Sequence, residues 1–169
     1  MTKLLWKSLG IEASISLVTN ALINGLIAYF LHRNSEFVAV DWISLAIDIV
    51  ITSLFIGSFN APSAASSLKR NKAEGVLRDQ NPSVAFMRRA FQKPVRFGLL
   101  AGLCFIPVIF VLSLGLFSLL GVKQIPVWDY VLYKSSYTGL LGAVIITLSL
   151  FTGMHKAIID LKTEKDISI

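Results

Sequence analysis

The stretch Trp42–Pro62, WISLAIDIVITSLFIGSFNAP, decides the fold. About 20 apolar residues rising ~1.5 Å each span the hydrocarbon core of a bilayer as a helix. One carboxylate, Asp48, lies well inside this run. A charge at that depth costs at least about 2.5–3.5 kcal/mol on insertion scales. Asp48 therefore needs a partner, a proton or water.

Three further apolar runs accompany it, and the chain is 54% hydrophobic but only 15% charged. Soluble domains carry about 25% charged residues. The 169 residues read as a single all-α membrane domain of four transmembrane helices in two hairpins. The spans are about 10–31, 42–62, 97–120 and 135–154, and a polar loop, 63–96, separates the hairpins. The first run is too long for a cleaved signal, and Glu12, Asn20 and Asn24 interrupt it. Short polar connections (32–41 and 121–134) join the members of each hairpin. Pro107 is expected to kink the third span.

The positive charges follow topology. Of 16 Lys and Arg residues, thirteen fall in the N-terminus, the 63–96 loop and the tail. The positive-inside rule places those segments in the cytoplasm. It also explains the net charge of +6 without a nucleic-acid partner. Trp42, Trp128, Tyr130 and Tyr133 then fall at the outer interface as an aromatic belt. The membrane is expected to be the cell membrane, on the pattern of a bacterial inner membrane.

Within the loop, Asn81-Pro82 reads as N-cap and first helical residue, and Pro94 closes the segment. Helical spacing puts Val84, Phe86, Met87, Ala90 and Phe91 on one half and Arg88, Arg89, Gln92 and Lys93 on the other. This is a basic amphipathic helix suited to an anionic inner leaflet, at about 1 kcal/mol per basic residue. Arg88, Arg89 and Lys93 are candidate membrane-surface or partner-binding residues.

The candidate ligand site lies in the first hairpin. Glu12, Ser16, Asn20 and Asn24 recur every four residues and form a polar stripe. Asp41, Ser44, Asp48 and Thr52 form a matching face on the second span. Depth along antiparallel helices predicts two polar levels, Asn24 with Asp48 and Glu12 with Asn60. Lys134 is near enough in depth to reach Asp48 by extending its side chain. Such groups either hold the bundle together or form a site for a cation, proton or polar solute. The fourth span places Gly139, Ala143 and Thr147 on one ridge and Gly142, Ser149 and Gly153 near another. That spacing suits close helix packing or a homo-oligomer face. A weak internal repeat is legible in Ile49–Thr52 against Val144–Thr147, and in Asp41-Trp42 against Trp128-Asp129.

Several classes find no support. Cys104 is the only cysteine, so there is no intrachain disulfide or CxxC pair, and His32 and His155 lie far apart. No phosphate-binding loop, zinc-protease or nucleophile-elbow motif occurs. The expectation is a non-enzymatic multi-pass protein without cofactor or metal. It works as a small transport component with its site at Asp48, Asn20, Asn24 and Glu12. The alternative is a non-catalytic accessory subunit of a membrane complex.

Overall fold

A computed structural model of the chain describes residues 2–70, 77–78 and 93–156, with side chains described for 9–70 and 93–154. Four long helices dominate: α1 (Thr2–His32), α2 (Trp42–Arg70), α3 (Pro94–Leu120) and α4 (Val127–Met154). All four are long and apolar enough to cross a membrane. Short strands accompany them: β1 (Phe37–Ala39), β2 (Leu77–Arg78) and β3 (Gln124–Pro126) between helices, and β4 (His155–Lys156) after α4. The expected amphipathic helix, with Arg88 and Arg89, lies outside the described residues. Lys93 is described and occupies the N-cap position of α3.

Local chemistry sets the helix ends. Asp41 caps α2: its Oδ1 accepts from the backbone N–H of Ile43 and Ser44 (2.9 and 3.1 Å), and its Oδ2 from the Ser44 hydroxyl (2.7 Å). These bonds to the carboxylate, led by the Ser44 hydroxyl, hold the Asp41 pKa below its usual 3.8. Pro94 stands in the first turn of α3, where its missing N–H costs nothing. Gly121 ends α3 in the left-handed region at φ 65°, with the Gly121 and Val122 N–H groups bonding back to Ser118 and Phe117.

All four helices exceed their expected spans; α1 begins at Thr2 and α3 at Pro94. α2 runs on past Pro62 to Arg70. Pro62 removes only the backbone donor that the Ser58 carbonyl would have used. α4 starts at Val127, so Trp128, Tyr130, Tyr133 and Lys134 are helical residues and not loop.

The expected hairpin packing is corrected. α1 packs along α4 and α2 along α3, while α2 and α4, which run parallel, form the central contact. α1 and α2 meet chiefly through polar side chains that reach across. Small residues explain the choice. A Cβ on Gly57 would collide with the carbonyl of Gly98, and one on Gly98 with that of Gly57. Gly102 faces the Ser53 carbonyl in the same way. Gly98-xxx-Gly102 thus brings the α2 and α3 backbones together. On the other pair, Gly139 faces Leu17 and Ala21, and Gly142 faces Asn20.

The two pairs are related by a twofold axis along the bundle. β1 and β3 pair antiparallel about Val38 and Ile125. Val40 N–H donates to the Lys123 carbonyl (2.9 Å), and Val127 N–H to the Glu36 carbonyl (3.3 Å), each bond the image of the other. Buried positions of α2 map onto buried positions of α4 at constant offset: Leu45 to Lys134, Ile49 to Thr138, Ile56 to Ile145, Asn60 to Ser149 and Ala61 to Leu150. A repeat is therefore present in three dimensions, though not in the register that Ile49–Thr52 and Val144–Thr147 suggest.

Candidate functional site

Splaying the sequential neighbours leaves a groove between α1 and α2, toward the end capped by β1 and β3. It encloses about 520 Å³. Asn24, Ile27 and Leu31 line it from α1, and Ser44, Ile47, Asp48, Ile51, Thr52 and Phe55 from α2. Tyr130 and Lys134 of α4 complete the floor.

Asp48 is the centre of the floor. Lys134 Nζ pairs with its Oδ1, and the Tyr137 hydroxyl donates to Oδ2 at 2.8 Å. Their side chains are 18% (Asp48) and 6% (Lys134) exposed, so the pair is largely withdrawn from solvent. One carboxylate in an apolar setting is thus balanced by one ammonium and one hydroxyl, which answers the demand Asp48 makes in the sequence. Tyr130, Lys134 and Tyr137 recur at i, i+4 and i+7 and share one face of α4. That spacing was available in the sequence. Only Lys134 stands out there as a partner: Tyr130 fits an interfacial belt, and Tyr137 carries no signal of its own.

Asn24 lines the same groove, but its amide nitrogen donates to the Asn20 carbonyl (3.0 Å) and not to Asp48. Asn20 is directed elsewhere. Its amide donates to the Ser16 carbonyl (2.8 Å) and approaches Asn60 Oδ1 (3.4 Å), which also accepts from the Ser16 hydroxyl (2.9 Å). This second polar cluster lies about three turns along α2 from Asp48.

Glu12 belongs to a third level. Its Oε1 accepts from the Ser67 hydroxyl (2.5 Å) and lies 3.7 Å from the exposed Arg70 guanidinium. The expected pairing of Glu12 with Asn60 fails because α2 continues past Pro62. That extension supplies Ser67 and Arg70 two turns further on, and Asn60 turns to Ser16 instead. The four candidate residues thus divide into Asp48 with Asn24 in the groove, Asn20 in the network beyond it, and Glu12 at the far end.

Most polar side-chain contacts between helices share a property, Thr138 donating to the Asn20 carbonyl within the α1/α4 pair being an exception. Asp48–Lys134, Asp48–Tyr137, Ser16–Asn60, Glu12–Ser67 and Tyr133–Ser113 all join the α1/α4 pair to the α2/α3 pair. Within each pair the contact is backbone-close and glycine-lined; between pairs these polar bonds accompany an apolar seam, in which Ile56 and Ala101 meet Leu141 and Ile145, and Ala61 and Leu68 meet Ile146 and Leu150. Among the described residues no group of three His, Cys, Asp or Glu converges on a metal-sized space.

Comparisons with protein-family models, with curated proteins and with solved structures find no match to this chain.

Proposed function

We propose that this is an integral membrane protein that binds a small solute in the α1/α2 groove and serves as a small transport component. The carrying observation is the Asp48–Lys134 pair on the floor of a groove of about 520 Å³. Ligand sites are concave, mostly apolar and furnished with a few placed polar groups, within roughly 300–1,000 Å³. The arrangement of two glycine-packed helix pairs, meeting across an apolar seam that polar bonds bridge, supports a transport role. A solute that competes for Asp48 acts directly on one of the contacts that join the pairs.

In this reading all four helices cross the membrane, and the β1/β3 end faces outward. The termini and the 63–96 loop lie in the cytoplasm, held to anionic lipid by Arg88, Arg89 and Lys93. The cell membrane of a bacterium is the proposed location. No catalytic step is assigned.

The test is a stabilisation screen in lipid discs against small cations, anions, zwitterions and neutral solutes. At least one class should raise the Tm of the wild type, and fail to do so in Asp48→Asn/Lys134→Leu. Solute uptake into liposomes should show the same dependence. A response identical in both proteins would sink the reading.

One observation favours the accessory reading. α3 packs mainly on α2 and exposes Val111, Leu112 and Leu119 on its outer side, a surface suited to another membrane helix. That reading expects full tolerance at Asp48, and loss of a co-purifying membrane partner when Leu112 and Leu119 become Trp.

A further inference from the structure

The twofold axis supplies an internal control for the groove. Its image is a second cleft between α3 and α4, of about 270 Å³. At corresponding positions Tyr137 stands for Asp48, Leu141 for Thr52 and Ser113 for Asn24. That cleft folds with no charge in its lining, so the frame does not require a buried ion pair at this place. We propose that the α1/α2 groove takes an amphiphilic amine, an apolar body bearing one ammonium group, with the ammonium at Asp48. The proposal rests on reading the groove as the ligand site.

Three features select this chemistry. The first is the sign of the accessible charge. Asp48 is the more exposed member of the pair at 18%, and Lys134 is withdrawn to 6% on α4. An entering cation meets the carboxylate and competes with Lys134 for it, whereas an anion must pass the carboxylate to reach Lys134. The second is the supply of acceptors. An ammonium offers three donors. Asn24, which lines the groove with Asp48, has committed its amide nitrogen to the Asn20 carbonyl, so the group it can offer a ligand is its acceptor oxygen. Phe55 and Tyr130 add aromatic rings to the lining, a residue type that attracts desolvated cations. A hydrated metal ion would instead need six or more oxygens.

The third is the wall. Ile27, Leu31, Ile47 and Ile51 give an apolar flank, which cannot replace the hydration of a small polar cation but suits an alkyl or aryl body. A cavity of this size holds a drug-sized body, so we commit to a free amphiphile and not to a two-chain lipid.

The test uses the full chain in phosphatidylcholine discs, with Cys104→Ser and a fluorophore on Ile51→Cys. Decylammonium, decyl sulfate and decanol are titrated at pH 7.5. Decylammonium should give a saturable change at least tenfold tighter than the other two. Asp48→Asn/Lys134→Leu, checked for monodisperse elution and an intact thermal transition, should weaken it at least tenfold. Lys134→Leu alone should tighten it several-fold, because the carboxylate loses its competitor. Equal response to the three probes in wild type and double variant overturns both this proposal and the groove reading. Saturable, Asp48-dependent binding of decyl sulfate or decanol keeps the groove as a site and overturns the amine. Competition by phosphatidylethanolamine discs assigns the groove to a lipid headgroup and overturns the free amphiphile.

Discussion

The two clefts beside the central helices differ where a shared frame would lead one to expect likeness. Both lie between sequential helices that have exchanged partners; Val38 and Ala39 of β1 line one end of the α1/α2 groove, whereas helix residues alone line the other cleft. The α3/α4 cleft is lined by apolar side chains with Ser113, Tyr133 and Tyr137; the Tyr133 hydroxyl donates to Ser113 at 2.6 Å, and the Tyr137 hydroxyl donates away from the cleft's own residues, to Asp48 at 2.8 Å. The α1/α2 groove is larger and carries Asp48, Lys134, Asn24 and Thr52. Packing alone therefore explains the first cleft and does not explain the second. A buried ion pair is weak evidence for stability, because desolvation cancels much of the attraction. Its presence on one side of a twofold axis, and its absence on the other, separates what the bundle needs from what the groove adds.

The largest expected effect comes from breaking the pair on one side. Lys134→Leu installs the residue that the corresponding Leu45 already carries, and leaves Asp48 buried without its cation. Loss of one partner of a buried pair costs roughly 3–5 kcal/mol. Reversible unfolding in detergent–lipid mixtures should show a loss of that order at neutral pH. A loss below about 1 kcal/mol would mean that water or a proton already compensates Asp48.

Next come the glycines of the shared frame. Gly98→Ala drives a Cβ into the Gly57 carbonyl and should cost about 1–3 kcal/mol by overpacking. Gly115, also on α3, has open space around its would-be Cβ. Gly115→Ala should be neutral or slightly stabilising through helix propensity. Equal effects at the two sites would remove the close α2/α3 crossing from the description.

The two tyrosines sharpen the contrast between the clefts. Tyr137→Phe removes a hydrogen bond to a charged group, worth roughly 1.5–3 kcal/mol, and Tyr133→Phe removes a neutral one, worth about 0.5–1.5 kcal/mol. The Tyr137 variant should be the less stable of the two. The reverse order would place the charge elsewhere than on Asp48.

The smallest effect concerns the caps. α2 begins under the Asp41 carboxylate, and α4 follows directly from β3, with Val127 bonded to Glu36. Because folding lowers the Asp41 pKa, its contribution is fully present above its unfolded value near 3.8. It is lost as pH falls through the folded pKa. Amide exchange at Ile43 and Ser44 should accelerate in Asp41→Ala at pH 6. The difference from wild type should vanish under strongly acidic conditions. A difference that grew with acid would contradict the cap.

Much of this architecture is legible in the sequence, for identifiable reasons. Four apolar runs fix four long helices, because run length against bilayer thickness leaves little choice. The need of Asp48 for a partner follows from the same reasoning, and Lys134 is a candidate from depth alone. Partner exchange among the helices is not legible from connection length, which favours hairpins. Its signal, Gly98-xxx-Gly102 opposite Gly57, involves residues on different helices whose opposition only the fold reveals. The far end of α2 is hidden by Pro62, which ordinarily marks a boundary and here sits inside a continuing helix, so the partners of Glu12 are misplaced. The twofold relation has almost no sequence trace: Ile56 matches Ile145, whereas Leu45 matches Lys134 and Asp48 matches Tyr137. Burial obeys the symmetry and chemistry does not.

The most direct measurement is the unfolding free energy of Asp48→Asn/Lys134→Leu against wild type in lipid. If the pair belongs to the groove's ligand and not to the frame, the double variant should lie within about 1 kcal/mol of wild type, or above it, as neutral replacements of buried pairs often do. A loss comparable to that of Lys134→Leu alone would show that the bundle itself depends on the pair. The contrast between the two clefts would then carry no information about function.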